Sequence, residues 1–120
     1  MPVLPRGYNT VTFDDVDESV ETVSAVPATL FGYTIANSAA AASYIKFYDA
    51  TAPTVGTTEP KLVIAVATVD GASQEFVGGI TFGTAITVAS VTTPEGSTGS
   101  ATNDVSLTAL YLPGTRRSGN

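Results

Sequence analysis

The chain has 120 residues, no cysteine, no histidine, 13% charged residues and a formal charge of −6. That length suits one domain with a core that needs no metal or disulfide staples, and the two missing residue types exclude disulfides, cysteine-based metal centres and the commonest general base. The acid excess repels phosphate, so neither nucleic acid nor an anionic membrane is an expected partner, and such sparse charge suits a surface that is covered by neighbours.

Residues 1–8 read as an extended arm. Pro2 and Pro5 each remove a backbone donor and bias the preceding residue away from helix. An arm of this kind either frays or lies against a partner, and Val3, Leu4, Arg6 and Tyr8 are its candidate contacts. From Asn9 onward the hydrophobic period is two, which is the strand period. Asn9–Phe13 alternates polar and apolar. Residues 14–19 form an acidic break. Val20–Val26 is a second candidate strand, closed by Pro27, and Leu30–Ala36 is a third.

The segment 37–43 holds four consecutive alanines, which favour helix but span only about one turn. It reads as a tight connection with room for a single helical turn. Tyr44–Asp49 is a strong strand, with Ile45 and Phe47 on one face and Tyr44, Lys46 and Tyr48 on the other. Residues 50–60 contain two prolines and a glycine and read as a long surface loop.

Lys61–Val69 and Ala72–Gly78 flank Asp70-Gly71, a dipeptide that favours a two-residue hairpin turn. The implied register sets Val66 against Glu75 and Ile64 against Val77, with Leu62, Ile64 and Val66 facing inward. The glycines at 78, 79 and 83 predict a kinked connection or bulge. Thr84–Val91 follows, with Ile86 and Val88 inward. Residues 92–103 read as an exposed loop. Asp104–Leu112 is the last strand, with Val105, Leu107, Ala109 and Tyr111 on one face.

The expected architecture is all-β: about eight strands in a two-sheet antiparallel β-sandwich, jelly-roll or immunoglobulin-like. The sandwich domain spans residues 9–112. A basic polar tail, 113–120, carries Arg116 and Arg117. At its start, Leu112-Pro113-Gly114-Thr115-Arg116 departs from a sortase signal by arginine in place of glycine.

Catalytic chemistry has little support. Nucleophilic triads need a base beside the hydroxyl, and no histidine supplies one. The expectation is a non-enzymatic module without cofactor or metal. Asp14, Asp15, Asp17, Glu18 and Glu21 admit three readings: a solvated turn, a calcium site through the alternation Asp15, Asp17, Ser19, or a carboxylate patch for a basic partner. The glycine and distal glutamate of an EF-hand loop are missing. Tyr44, Lys46 and Tyr48 are candidates for a protein interface, with internal packing and sugar stacking as the other readings of the tyrosines.

Three runs point further. They are 30–37 (LFGYTIAN), 42–50 (ASYIKFYDA) and 55–64 (VGTTEPKLVI), followed by 76–88 (FVGGITFGTAITV) and the strand from Asp104 to Tyr111. An Asn-terminated strand, a Tyr-x-Lys-x-Tyr-Asp strand (Tyr44, Lys46, Tyr48, Asp49) and a Val-Gly-Thr…Pro loop resemble a pattern in small structural proteins of tailed bacteriophages. These are capsid decoration (cement) and head-fibre-type proteins. The resemblance covers roughly residues 28–112. It implies a β-sandwich, a homotrimer, a virion location on the capsid exterior and the major capsid protein as partner. The acidic first 27 residues and the arginine tail lie outside the pattern. Other expectations are a head-fibre base, a tail-fibre module, or a carbohydrate-binding sandwich for host recognition.

Overall fold

The structure is a computed structural model, and it describes residues 8–99 and 104–114. Eight strands are present: β1 Asn9–Phe13, β2 Glu21–Ser24, β3 Ala28–Asn37, β4 Ser43–Tyr48, β5 Leu62–Val66, β6 Asp70–Phe82, β7 Ile86–Val91 and β8 Val105–Pro113. They form two four-stranded antiparallel sheets, sheet A in the order β1-β8-β3-β6 and sheet B in the order β2-β7-β4-β5. Strand 1 pairs with 8, 2 with 7, 3 with 6 and 4 with 5. That is the connectivity of one long hairpin rolled into a sandwich. It makes the fold a jelly roll and removes the immunoglobulin-like alternative.

The period-two pattern explains the core. Leu30, Tyr33 and Ile35 of β3 and Val105, Leu107 and Ala109 of β8 face Ile45 and Phe47 of β4, Ile64 and Val66 of β5, and Ile86 and Val88 of β7. Each fully buried aliphatic or aromatic side chain contributes roughly 1.5–3 kcal/mol relative to exposure. The acidic break has a structural job that its charges conceal. Val16 is fully buried in the core, its N–H donates to the Val105 carbonyl at 2.9 Å, and the Asp17 carbonyl accepts from Ser90 N–H at 2.9 Å. The segment therefore carries the chain across the end of the sandwich with Val16 as a plug.

The expected hairpin at Asp70-Gly71 does not form. Strand β5 lies in sheet B and β6 in sheet A. Asp70 sits opposite Asn37 and Gly71 opposite Ala36, so the dipeptide opens the β3–β6 ladder rather than capping a turn. The reason is burial. A β5–β6 hairpin would put Val66 beside Glu75 and Ile64 beside Val77, yet Val66 and Ile64 are buried while Glu75 and Val77 are exposed. Apolar inner faces on both strands are satisfied only when the strands sit in opposite sheets. Val69 takes φ 49°, unusual for a β-branched residue, where the chain crosses between sheets.

The glycine pair does mark a bulge. Leu30 pairs with Ile80 and Gly32 with Glu75, so residues 76–79 bulge out opposite Phe31. Gly78 and Gly79 have φ of 82° and 77°, and a Cβ on Gly79 would strike the Thr29 side chain. Beyond the bulge Ile80–Phe82 continues the same strand rather than starting a connection. Residues 38–42 connect β3 to β4 through bends without a helical turn.

Candidate functional site

The outward face of sheet B, where β4 places Tyr44, Lys46 and Tyr48, is covered by a third layer. Residues 49–61 after β4 and residues 92–99 after β7 fold back over it from opposite ends. Thr87 Oγ1 donates to the Ala50 carbonyl at 2.8 Å, and Lys46 Nζ donates to the Gly96 carbonyl at 3.4 Å. The two loops meet where Gly56, at φ 91°, lies against Ser97. All six residues of β7 are buried as a result.

This corrects two candidate interface residues. Lys46 is 3% exposed and Tyr48 is wholly buried, so the chain's own loops occupy the face that alternation assigned to a partner. Tyr44 remains half-buried at the margin of the cover. Burial pushes the Tyr48 hydroxyl above its ordinary pKa, and that hydroxyl has no hydrogen-bond partner among the described residues. Tyr48→Phe is therefore expected to raise the thermal midpoint by a few degrees, about 1 kcal/mol, in a circular-dichroism melt. A loss of stability of that size would show that the hydroxyl is satisfied.

The open face belongs to sheet A. Cross-strand register places Thr12 opposite Thr108, Thr108 opposite Thr34 and Thr34 opposite Ser73, a row of hydroxyls across all four strands. Thr12 and Thr108 share a hydrogen bond of 2.9 Å between their Oγ1 atoms. The adjacent row is Thr10, Leu110, Gly32 and Glu75. Of these two rows only Glu75 carries a charge, and Gly32 is buried, with the Leu110 side chain and the Gln74 carbonyl close against it.

Beside this row, at the β6 bulge, lies a cleft of about 440 Å³ lined by Tyr8, Phe31, Glu75, Phe76, Val77, Gly78 and Leu110. Tyr8 is 37% exposed and packs on Phe31 with ring centroids 4.9 Å apart and planes tilted 35°. Val77 projects from the bulge fully exposed. Tyr8 is the one described candidate of the N-terminal arm. Val3, Leu4, Arg6, Arg116 and Arg117 lie outside the described residues. Phe31, Val77, Leu110 and the hydroxyl row were not singled out in the sequence; the glycine pair at 78–79, which announces the bulge, was the available signal.

The acidic segment does not converge. Asp17 Oδ1 accepts from Ser19 N–H at 2.8 Å, a local turn. Among the described residues no three carboxylates approach closely enough to hold a metal ion, and no helix is long and apolar enough to cross a membrane. Comparison with known protein families and with curated proteins finds no match to this chain.

Proposed function

We propose that the protein is a virion structural protein that binds the outer surface of an assembled tailed-phage capsid and stabilises the joints between major capsid protein subunits. The observation that carries this reading is the open face of sheet A: rich in hydroxyls and almost free of charge, on a jelly roll whose other outer face is already covered. Such a face can bury area against another protein without stranding charges. Many weak copies on one shell gain from avidity, and a ligand that prefers the assembled shell stabilises it by linkage. The three-fold association, the capsid-exterior location and anchoring by the arm and the arginine tail belong to the same proposal.

The test is binding to undecorated shells. Thr34→Arg combined with Thr108→Arg puts two cations on the centre of the sheet A face and is expected to weaken binding at least tenfold, about 1.4 kcal/mol or more, with an unchanged melt. Removing residues 1–7 and 115–120 is expected to weaken it as well. Undiminished binding by both variants would overturn the reading. The copy number per purified particle separates a decoration protein from a head-fibre base or tail-fibre module, which would be scarce.

One observation favours a second reading, a carbohydrate-binding sandwich. The Tyr8–Phe31 platform beside Glu75 combines an aromatic face with a hydrogen-bonding carboxylate, which suits a sugar ring. In that reading the platform is Tyr8–Phe31 rather than Tyr44, and a glycan array comparing the wild type with Phe31→Ala decides it.

A further inference from the structure

A strand at the border of a sheet presents unpaired N–H and C=O groups to any passing strand, and proteins blunt such edges with charge, proline, bulges or brevity. The borders here are β1 and β6 in sheet A and β2 and β5 in sheet B. Three of them are blunted. Strand β6 carries Asp70 and Glu75 and breaks at its bulge. Strand β2 has four residues, opens on Glu21 and shifts register after Thr22. Strand β1 has five residues and runs directly into Asp14-Asp15.

Strand β5 is as short as β1 and follows Pro60-Lys61, but its own five residues are uninterrupted and apolar throughout. Its sequence, Leu62-Val63-Ile64-Ala65-Val66, contains no charge, proline or glycine, and its ladder with β4 runs without a register shift. Val63 is 44% exposed and Ala65 is exposed, both on the outer face.

We propose that β5 pairs antiparallel with β5 of a second copy about a two-fold axis at Ile64. The two β2-β7-β4-β5 sheets then join into one sheet of eight strands. In this register Leu62 lies opposite Val66, Val63 opposite Ala65, and Ile64 opposite its own counterpart. Every pair is apolar, and Leu62, Ile64 and Val66 stay on the inner face in both copies, so no side chain changes side. The contact is isologous, as a two-fold requires.

The self-match and the charge together select a second copy as the occupant. Two chains of formal charge −6 repel, and residues 62–69 form an acid-free stretch along this edge. Copies that meet at β5 therefore bring no carboxylates face to face across the ladder, whereas β6 would carry both Asp70 and Glu75 into any such contact. The two-fold contact goes beyond the capsid reading and stands against only its three-fold association, so a dimer upholds this contact and a closed trimer upholds that association.

The experiment is sedimentation equilibrium on the full chain. The wild type is expected to form a dimer with a dissociation constant on the order of 10–100 µM, weak because the strand is short. A V63K/A65K variant sets lysine against lysine at both outer pairs and is expected to weaken the dimer at least tenfold. A V63E/A65E variant should do the same, and mixing the two should restore a heterodimer, which only folded chains can form. The uncharged V63T/A65T variant keeps strand propensity and should still dimerise, which guards against simple misfolding of the charged ones. A wild type that stays monomeric at about 200 µM, a closed trimer, charged variants that associate like the wild type, or a mixture that stays monomeric would each overturn the proposal.

Discussion

Replacing Asn37 with aspartate is expected to destabilise the domain by at least about 4 kcal/mol and to lower the thermal midpoint by roughly 15 °C. Asn37 closes β3 and is 2% exposed. Its amide nitrogen donates to the carbonyls of Ala41 at 3.1 Å, Val66 at 3.3 Å and Ala67 at 3.1 Å, and its oxygen accepts from Ala39 N–H at 3.0 Å. One side chain thus ties the β3–β4 connection to the end of β5, on the other sheet. Beside it, Thr68 Oγ1 donates to the Ala39 carbonyl at 2.7 Å.

A carboxylate at position 37 is nearly isosteric but can only accept. It would face three carbonyl oxygens from a position only 2% exposed, so either a largely buried charge persists or the group takes a proton. A carboxyl forced to stay neutral has a folded pKa above its unfolded value. Its contribution is then most favourable below the unfolded pKa and is lost as pH rises, so the deficit of Asn37→Asp should be smaller at pH 4 than at pH 7. Asn37→Ala, which strands the same carbonyls without adding charge, should cost about 2–3 kcal/mol with no such pH slope. Chemical denaturation of the three proteins at both pH values checks this; an aspartate variant within about 1 kcal/mol of wild type would refute the account of the hub.

The resemblance to phage structural proteins rests largely on residues of this supporting kind. Asn37 is the hub, Lys46 and Tyr48 lie under the loop layer, and Gly56 is where the two loops meet. These runs therefore describe how the sandwich and its third layer are held, whereas the surface proposed above to meet a partner lies on sheet A. Period two made the inner faces legible, because Ile45 and Phe47, Ile86 and Val88, and Val105 and Leu107 each alternate with neighbours that face away from the core. It could not name pairing partners: the β3–β6 ladder joins Asn37 to Asp70 and Ala28 to Phe82, and no local turn signal reports contacts at that separation. Alternation also cannot tell an outward side chain in water from one beneath a third layer. The clue was loop length, since long connections in a compact domain tend to pack on something.

Asp49 gives the second large effect. Asp49→Asn is expected to cost about 2–3 kcal/mol at neutral pH. The residue follows β4 at the start of the loop that covers sheet B. Its Oδ1 accepts from Thr84 N–H at 2.7 Å and Ala85 N–H at 3.3 Å, and its Oδ2 accepts from Gly83 N–H at 3.0 Å. Three amides of the β6–β7 connection thus converge on one carboxylate, tying that turn to the covering loop. An asparagine could offer its oxygen to Thr84 and Ala85, but its amino group would then oppose the Gly83 N–H, donor against donor. Burial by itself pushes the Asp49 carboxyl up; the Thr84, Gly83 and Ala85 amides outweigh it, with help from the Lys61 charge, and hold it below the usual range. Lys61 lies over the Phe82 ring at 5.5 Å and is exposed, so solvent screens its share. A depressed folded pKa gives stability that is present above the unfolded value, near 3.8, and lost as pH falls through the folded one. Wild type should therefore outlast Asp49→Asn by a constant margin above about pH 5, and the margin should close as pH falls toward about 2. Urea midpoints measured across that range decide it: a margin that does not narrow on acidification would mean that Asp49 holds the turn by shape alone, without its charge.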